Sequence, residues 1–170
     1  MRTLLQSGLI VKLDLTYNPQ MVCVLMGDSI ANFMHPAMPQ CHVQAEGGIS
    51  SPDYAARFVH PISADLTIIS LGANDHYGGT LEALREVRSR ITSRVIWLVP
   101  NIRRPPTIDA IYTVASEYGD ALVDMAPYCG PRLHPTLPQA RQIATAISRS
   151  VRQEDTPAFK DMMSPGGMPL

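Results

Sequence analysis

The sequence predicts an α/β fold, a three-layer α/β/α sandwich whose central sheet has about five parallel strands. Three observations predict this architecture. Apolar runs rich in β-branched residues recur along the chain, segments with helical spacing of apolar residues separate them, and turn-forming motifs follow several of the runs. Strands that alternate with helices pair in parallel through right-handed crossovers. Helices then cover both faces of the sheet.

The strand predictions rest on the apolar runs, which are typical of strands buried on both faces of a parallel sheet. The predicted strands occupy residues 21–26, 41–45, 66–71, 95–99 and 121–125.

The helix predictions rest on capping residues and on apolar side chains at three- and four-residue steps. The last helix has the clearest start, because Thr136 and Gln139 have the spacing of a capping box. The first long helix carries a proline in its first turn and is expected to end before His60-Pro61. The predicted N-caps of four helices are Ser51, Thr80, Thr107 and Thr136.

Length and composition indicate one globular domain. The chain has 170 residues, of which 45% are hydrophobic and 17% charged. We expect an N-terminal extension over residues 1–20, the domain over residues 21–155 and a flexible C-terminal tail over residues 156–170.

The charge and the apolar pattern exclude several classes of partner. A net charge of −1 gives no electrostatic reason to expect a nucleic-acid partner or binding to an anionic membrane. No apolar stretch approaches the roughly 18 residues that a membrane span needs, so no membrane insertion is expected. The N-terminus lacks the pattern of a signal peptide, so the expected location is cytoplasmic by default, with release by lysis or another export route left open. The oligomeric state stays open.

The three cysteines have no metal-type spacing. Cys23 and Cys41 fall in strand-like runs and are expected to be small buried hydrophobic residues, without a disulfide framework. Cys129 lies five residues before a histidine, so a reactive thiol is an alternative that no other feature of the sequence supports.

The most informative motif is Gly27-Asp28-Ser29-Ile30, which follows the first apolar run directly. It places a serine hydroxyl at the carboxyl end of a parallel strand, which is where open α/β folds assemble their sites. Three further motifs follow in an order that suits a serine hydrolase. They are Gly47-Gly48-Ile49-Ser50, Gly72-Ala73-Asn74-Asp75 and His134-Pro135-Thr136.

A serine hydroxyl needs a positioned base to act as a nucleophile at neutral pH. His134 is the favoured base, because it follows the last strand and directly precedes the last helix, which returns it to the edge where Ser29 lies. His76 is the main competitor, since it lies two residues after Asn74. The remaining histidines are expected at helix ends or within a strand. They are His35, His42 and His60.

Acyl transfer also requires donors for the negative charge that develops on the carbonyl oxygen. The backbone N–H groups of Ser29 and Gly48 and the side-chain amide of Asn74 would supply three donors. Taken alone, Gly48 fits a tight turn and Asn74 fits ordinary turn chemistry. Their occurrence together with Ser29 favours function.

Together these motifs resemble the four conserved blocks of the SGNH (GDSL-type) hydrolases, over about residues 21–152. The resemblance implies a flavodoxin-like SGNH fold and a carboxylic ester hydrolase that needs no metal or cofactor. Members of the family are mostly esterases, lipases, thioesterases and carbohydrate O-acetyl esterases. The resemblance makes Ser29 the nucleophile and His134 the base, and makes Gly48 and Asn74 complete the oxyanion hole together with Ser29.

The sequence departs from the family at one position. The family usually carries an aspartate three residues before the histidine, where it orients the imidazole. Pro131 occupies that position here. The orienting acceptor is then a backbone carbonyl, another acid such as Asp124, or absent. The sequence therefore supports a Ser29–His134 dyad rather than a complete triad, with Asp28 organising its turn.

We accordingly expect a serine esterase that acts on small acyl esters, O-acetyl esters on a carbohydrate or cell-wall glycan above all. Short connections between strands favour an open, shallow site, and Arg103 and Arg104 are candidates for binding an anionic substrate. Three alternatives stay open. They are a catalytically weak or inactive SGNH-fold binding module, a lipase or thioesterase, and a metallophosphoesterase, although no second acid closely follows Asp28.

Overall fold

A computed structural model describes residues 21–154, apart from Tyr77 and Arg103. The predicted N-terminal extension and C-terminal tail lie outside the described residues. The candidate anion-binding residue Arg103 is also outside them.

The central sheet has five parallel strands in the order β2-β1-β3-β4-β5, which confirms the predicted fold class. Because the order reverses next to β1, the carboxyl ends of β1 and β3 meet at a topological switch point. Gly27 pairs with Ser70 there. The strands are β1 (Cys23–Gly27), β2 (His42–Ala45), β3 (Leu66–Ser70), β4 (Arg94–Val99) and β5 (Ala121–Asp124).

Six α-helices lie within the described part of the chain. They are α1 (Ser29–Met34), α2 (Ser51–Arg57), α3 (Thr80–Ser89), α4 (Pro105–Tyr118), α5 (Ala126–Cys129) and α6 (Leu137–Glu154). A 3-10 turn (His35–Ala37) follows α1. Of the helices in residues 21–154, none combines the length and the apolar character that crossing a membrane requires.

Alternating side chains of the strands build one core on each face of the sheet. Leu25, Ile68 and Ile96 pack with α1 and α6 on one face. Met26 and Trp97 pack with α2, α3 and α4 on the other. The two cores give the three layers that the sequence predicts.

Three predicted helix starts differ from the structure by one to three residues. The N-cap of α2 is Ser50, whose Oγ accepts a hydrogen bond from the Asp53 N–H at 3.2 Å. Thr80 is the first residue of α3, and Thr107 lies within the first turn of α4, which begins with two prolines. Proline is favoured in a first turn because its missing N–H has no partner there in any case.

The capping box before α6 is confirmed in part. The Thr136 N–H donates a hydrogen bond to Gln139 Oε1 at 2.8 Å, and the Thr136 hydroxyl donates to the same oxygen at 2.9 Å. The glutamine side chain thus reaches back to the residue before the helix, which fixes where α6 begins.

The expectation that the cysteines form no disulfide is wrong, because Cys23 and Cys41 are bonded to each other. The parallel register aligns Val24 with His42. The cysteines are the residues immediately before these two, so the crossover connection brings them side by side. Cys129 is free and buried, and burial raises the pKa of its thiol, which disfavours the reactive thiolate.

The end of β1 lies unusually close to β3. Gly27 has a φ of +127°, and a Cβ at this position would lie 1.8 Å from the Ser70 carbonyl oxygen. The Asp28 N–H donates to that same oxygen at 2.9 Å. Only glycine fits here, and its absence of a side chain lets the chain turn directly from β1 into α1.

We expect Gly27→Ala to lower the free energy of unfolding by about 3 kcal/mol or more, because it combines backbone strain with a steric overlap. Gly119→Ala is the matched control, since Gly119 has a φ of +68° but no atom within 4 Å of an added Cβ. It should lose only about 1 kcal/mol from left-handed strain. Urea unfolding measures both variants. Equal losses would contradict the close approach at Gly27.

Candidate active site

Ser29 is the first residue of α1 and directly follows the turn at the end of β1. Asp28 is the N-cap of the helix, and its Oδ1 accepts a hydrogen bond from the Ile30 N–H at 2.9 Å. This cap holds the junction between strand and helix, and it places the Ser29 hydroxyl, half-buried, at the carboxyl edge of the sheet.

The structure brings Ser29 and His134 together. Ser29 Oγ lies 2.7 Å from His134 Nε2, a hydrogen-bond distance between residues 105 positions apart in the chain. His134 lies in the loop between α5 and α6 and is half-buried. No other side chain of the described residues is hydrogen-bonded to Ser29 Oγ.

Asp28 is a buried carboxyl group with an incomplete set of partners. Its side chain is inaccessible to solvent, and Oδ1 also accepts a hydrogen bond from the Ser70 hydroxyl at 3.0 Å. Oδ2 has no hydrogen-bond partner in the described residues. Burial raises the pKa of Asp28 from 3.8 to about 6, and the nearby charge of Asp75 contributes to the rise. Both of its contacts hold the turn, in agreement with an organising role.

The loops that carry Gly48 and Asn74 meet beside Ser29. A Cβ on Gly47 would lie 3.9 Å from Ser29 Cβ, which places the Gly47-Gly48 segment against the serine. The Asn74 Nδ2 donates a hydrogen bond to the Ile49 carbonyl oxygen at 3.1 Å, joining the two loops. Gly48 has a φ of +79° and open space where a Cβ would be, as expected for a backbone that a substrate approaches.

Asp75 and Arg104 hold the Asn74 loop from two further directions. Asp75 Oδ1 accepts a hydrogen bond from the Ser51 N–H at 2.7 Å, at the start of α2. Arg104 Nη1 donates to the carbonyl oxygens of Ala73 and Asp75 at 2.8 Å and 3.2 Å. The carbonyls on both sides of Asn74 are therefore fixed by one guanidinium group.

Asp124, the possible orienting acid, binds the backbone next to it instead of contacting the histidine. Its carboxylate is exposed, and Oδ1 accepts a hydrogen bond from the Ala126 N–H at 2.9 Å. Pro131 is exposed and offers no acceptor in its side chain. Within the described part of the chain, no group accepts a hydrogen bond from His134 Nδ1.

The aromatic neighbour of His134 is not among the predicted site residues. The Phe33 ring stacks on the imidazole with the ring centroids 4.5 Å apart and the planes inclined by 20°. Phe33 lies four residues after Ser29, one turn along α1, so both side chains lie on one face of the helix. That spacing is the signal from which Phe33 could have been found.

The other histidines lie in different parts of the molecule. His76 is exposed and lines a groove of about 570 Å³ between the N-terminal ends of α3 and α4, together with Arg104. Three are exposed near the ends of other elements, namely His35, His42 and His60. Among residues 21–154 except 77 and 103, no three His, Cys, Asp or Glu side chains are grouped to hold a metal ion.

The chain has the SGNH (GDSL-type) hydrolase fold, a five-stranded parallel sheet with helices on both faces. No protein-family model matches the chain, and no curated protein matches its sequence. Solved structures do match it, at sequence identities that establish the fold alone.

Three of these solved structures are similar to the chain over most of its length. A protein from Agrobacterium tumefaciens str. C58 with a proposed arylesterase assignment is 16% identical, with a TM-score of 0.56 over 78% of this chain and 99% of that one. The C-terminal catalytic domain of the Streptococcus pneumoniae peptidoglycan O-acetyltransferase A is 12% identical, with a TM-score of 0.56 over 79% and 94% of the two chains. A carbohydrate esterase is 9% identical, with a TM-score of 0.55 over 78% of this chain and 65% of its own.

The buried carboxyl group predicts a specific pH dependence of stability. In the unfolded chain Asp28 loses its proton near pH 3.8, whereas in the folded chain it keeps the proton up to about pH 6. Stability linked to this group is therefore complete below pH 3.8 and is lost as pH rises through about 6. At about 1.4 kcal/mol per pKa unit, the loss is about 3 kcal/mol.

Asp28→Asn removes this titration, because the amide stays neutral at every pH. We expect the wild type to lose about 2 kcal/mol relative to the variant between pH 4 and about 6.5, which is most of the full effect. Urea unfolding of both proteins across this range measures the difference between their free energies of unfolding. Contributions from carboxyl groups that titrate alike in the two proteins cancel in this difference. A difference that does not vary with pH would contradict the raised pKa of Asp28.

Proposed function

We propose that the protein is a serine esterase that hydrolyses small acyl esters through an acyl-enzyme on Ser29, with O-acetyl esters on a carbohydrate or cell-wall glycan as the natural substrate class. The observation that carries the proposal is the 2.7 Å distance between Ser29 Oγ and His134 Nε2 at the carboxyl edge of the sheet. The fold of the esterases and of the O-acetyltransferase described above supports it.

The first half of the reaction forms the acyl-enzyme. Ser29 Oγ attacks the ester carbonyl carbon while its proton moves to His134 Nε2, and the carbonyl π electrons move to the oxygen. When the tetrahedral intermediate collapses, the carbon–oxygen bond to the alcohol breaks. His134 donates the proton to the departing alcohol oxygen, so the imidazole is neutral again.

The second half repeats these steps with water as the nucleophile. His134 Nε2 takes a proton from water as the oxygen attacks the acyl carbon of the ester on Ser29. The intermediate then expels Ser29 Oγ, which regains its proton from His134. The products are the free acid and the original enzyme.

The oxyanion that forms in each half needs donors that are already in place. We assign this role to the backbone N–H groups of Ser29 and Gly48 and to the side chain of Asn74. An amide nitrogen has two N–H bonds. One of them binds the Ile49 carbonyl oxygen in the structure, which leaves the second for the oxyanion.

The preference for a small acyl group rests on the exposure of the site and on the related folds. Gly47 and Gly48 are exposed beside Ser29, so the acyl group meets an open surface there. Two proteins that share the fold, the peptidoglycan O-acetyltransferase A and the carbohydrate esterase, are named for reactions on glycans. The alternative is a lipase or thioesterase, which would differ from the proposed esterase in the length of the acyl chain it accepts.

The second candidate function is a catalytically weak or inactive binding module. Pro131 and the unpartnered His134 Nδ1 in the described residues favour it, because a complete triad orients its base through a carboxylate. The structurally similar carbohydrate esterase has an active site with divergent catalytic and non-catalytic binding functions. A fluorophosphonate probe separates the two cases, since an active serine hydrolase labels at Ser29 and an inert module does not.

Hydrolysis of p-nitrophenyl acetate by the purified protein, with EDTA present, tests the proposed chemistry. We expect Ser29→Ala and His134→Ala to lower kcat by at least about 10³-fold, because each removes a group that changes its bonds in the reaction. Asp124→Asn is the matched control. It removes only the negative charge, because the amide oxygen can still accept the hydrogen bond from the Ala126 N–H, and it should leave kcat within about 3-fold. A loss with Asp124→Asn as large as with His134→Ala would make Asp124 the missing third member.

Acyl length tests the proposed substrate class. We expect kcat/KM to be higher for p-nitrophenyl acetate than for the butyrate and decanoate esters, because an open site gives a long chain few contacts over which to bury apolar surface. Initial rates below the micellar range of the decanoate measure the series. A marked preference for decanoate would favour a lipase and reject the small-acyl proposal.

A further inference from the structure

In the part of the chain that the structure describes, the imidazole of His134 lacks the partner that usually fixes its plane. In a Ser-His-Asp triad the carboxylate accepts a hydrogen bond from Nδ1, which sets the tautomer and the orientation of the ring. Here Pro131 stands at the position of that aspartate, Asp124 binds the Ala126 N–H, and Nδ1 has no acceptor within the described residues. Some other contact has to keep Nε2 directed at Ser29.

The contact that the structure provides is the ring of Phe33. Its centroid lies 4.5 Å from that of the imidazole, with 20° between the planes, at the short end of the distances for aromatic pairs. A stacked neighbour allows the imidazole to slide but opposes its rotation out of the shared plane. Ser29 and Phe33 lie one turn apart on α1, so the helix sets both contacts of His134.

Packing in the hydrophobic core does not explain the location of Phe33. The buried residues of α1 are Ile30, Ala31 and Met34, whereas Phe33 is 48% exposed. Exposing a phenyl ring forgoes the stabilisation that burying it would bring. Its one aromatic partner in the described part of the chain is His134.

The charge distribution of the phenyl ring also suits a histidine that becomes a cation. The face of an aromatic ring is negative and attracts a positive group above it. His134 is protonated in each transition state of the proposed reaction, so the attraction is strongest when the barrier is crossed. Interactions that strengthen in the transition state raise kcat.

We propose that Phe33 is a positioning residue for His134, which holds the imidazole plane and stabilises its protonated form where the family's aspartate is absent. The proposal rests on the esterase mechanism proposed above. Phe33 takes no part in proton transfer and acts only through the histidine.

The test replaces the ring and follows both geometry and catalysis. Phe33→Leu removes the aromatic face, and Phe33→Tyr keeps it. We expect Phe33→Leu to lower kcat by about 10-fold with KM within about 2-fold, and Phe33→Tyr to retain kcat. The substrate is a non-aromatic acetyl ester, glycerol triacetate, so that no ring of the substrate stacks on Phe33. Tyr112→Leu on α4, 45% exposed, is the matched control and should leave both constants unchanged.

A second readout reports the stack without turnover. The ring current of Phe33 displaces the proton resonances of the His134 imidazole, which His134→Ala assigns in the wild-type NMR spectrum. Phe33→Leu should move these resonances toward their unstacked positions, and Phe33→Tyr should not. The rate of fluorophosphonate labelling at Ser29 should fall in Phe33→Leu in parallel with kcat.

The outcomes separate this inference from the proposed function. An active wild type whose kcat is unchanged in Phe33→Leu overturns the positioning role and leaves the esterase intact. A rise in KM at constant kcat would instead make Phe33 a substrate contact, which also overturns it. A wild type that neither hydrolyses esters nor labels at Ser29 overturns both proposals.

Discussion

The buried carboxyl group of Asp28 is the interaction on which the site depends. Its Oδ1 accepts hydrogen bonds from the Ile30 N–H and the Ser70 hydroxyl, and the Asp28 N–H donates to the Ser70 carbonyl oxygen. The first of these bonds caps α1, and the two that involve Ser70 join the start of α1 to the end of β3. They require the close approach that Gly27 permits. They also bury a carboxyl group whose ionised form is costly to bury, as the raised pKa of Asp28 indicates.

The position of α1 then determines the arrangement of the other groups. Ile30 and Met34 pack with α6 in the core behind the site, while Ser29 and Phe33 face the loop that precedes α6. Because α6 packs on α1, the loop at its start brings His134 against both of these side chains. The pairing between residues 105 positions apart is thus a consequence of helix packing and needs no long loop of its own.

The sequence could predict what depends on chain order, and it could not predict what depends on register or rotamer. The strands, their parallel pairing and the approach of His134 to Ser29 all follow from the alternation of elements and from where each motif ends a strand. The Cys23–Cys41 bond depends on how β1 and β2 align, which no local pattern encodes. The stack on Phe33 depends on the orientations of two side chains, although its spacing from Ser29 was visible. The partner of His134 Nδ1 was left open, and within the described residues there is none.

The loop that carries Asn74 is held more firmly than the histidine on the other side of the site. Asn74 and Asp75 each bond the backbone at the start of α2, and Arg104 holds the carbonyls on both sides of Asn74. The proposed oxyanion donors are therefore set before substrate arrives, which is the condition under which such donors act without reorganisation. The histidine has a hydrogen bond to Ser29 and an aromatic face, but no carboxylate partner among residues 21–154 as described. On the proposed mechanism, the oxyanion donors would then supply a larger share of the rate than they do in a complete triad, and the base a smaller one.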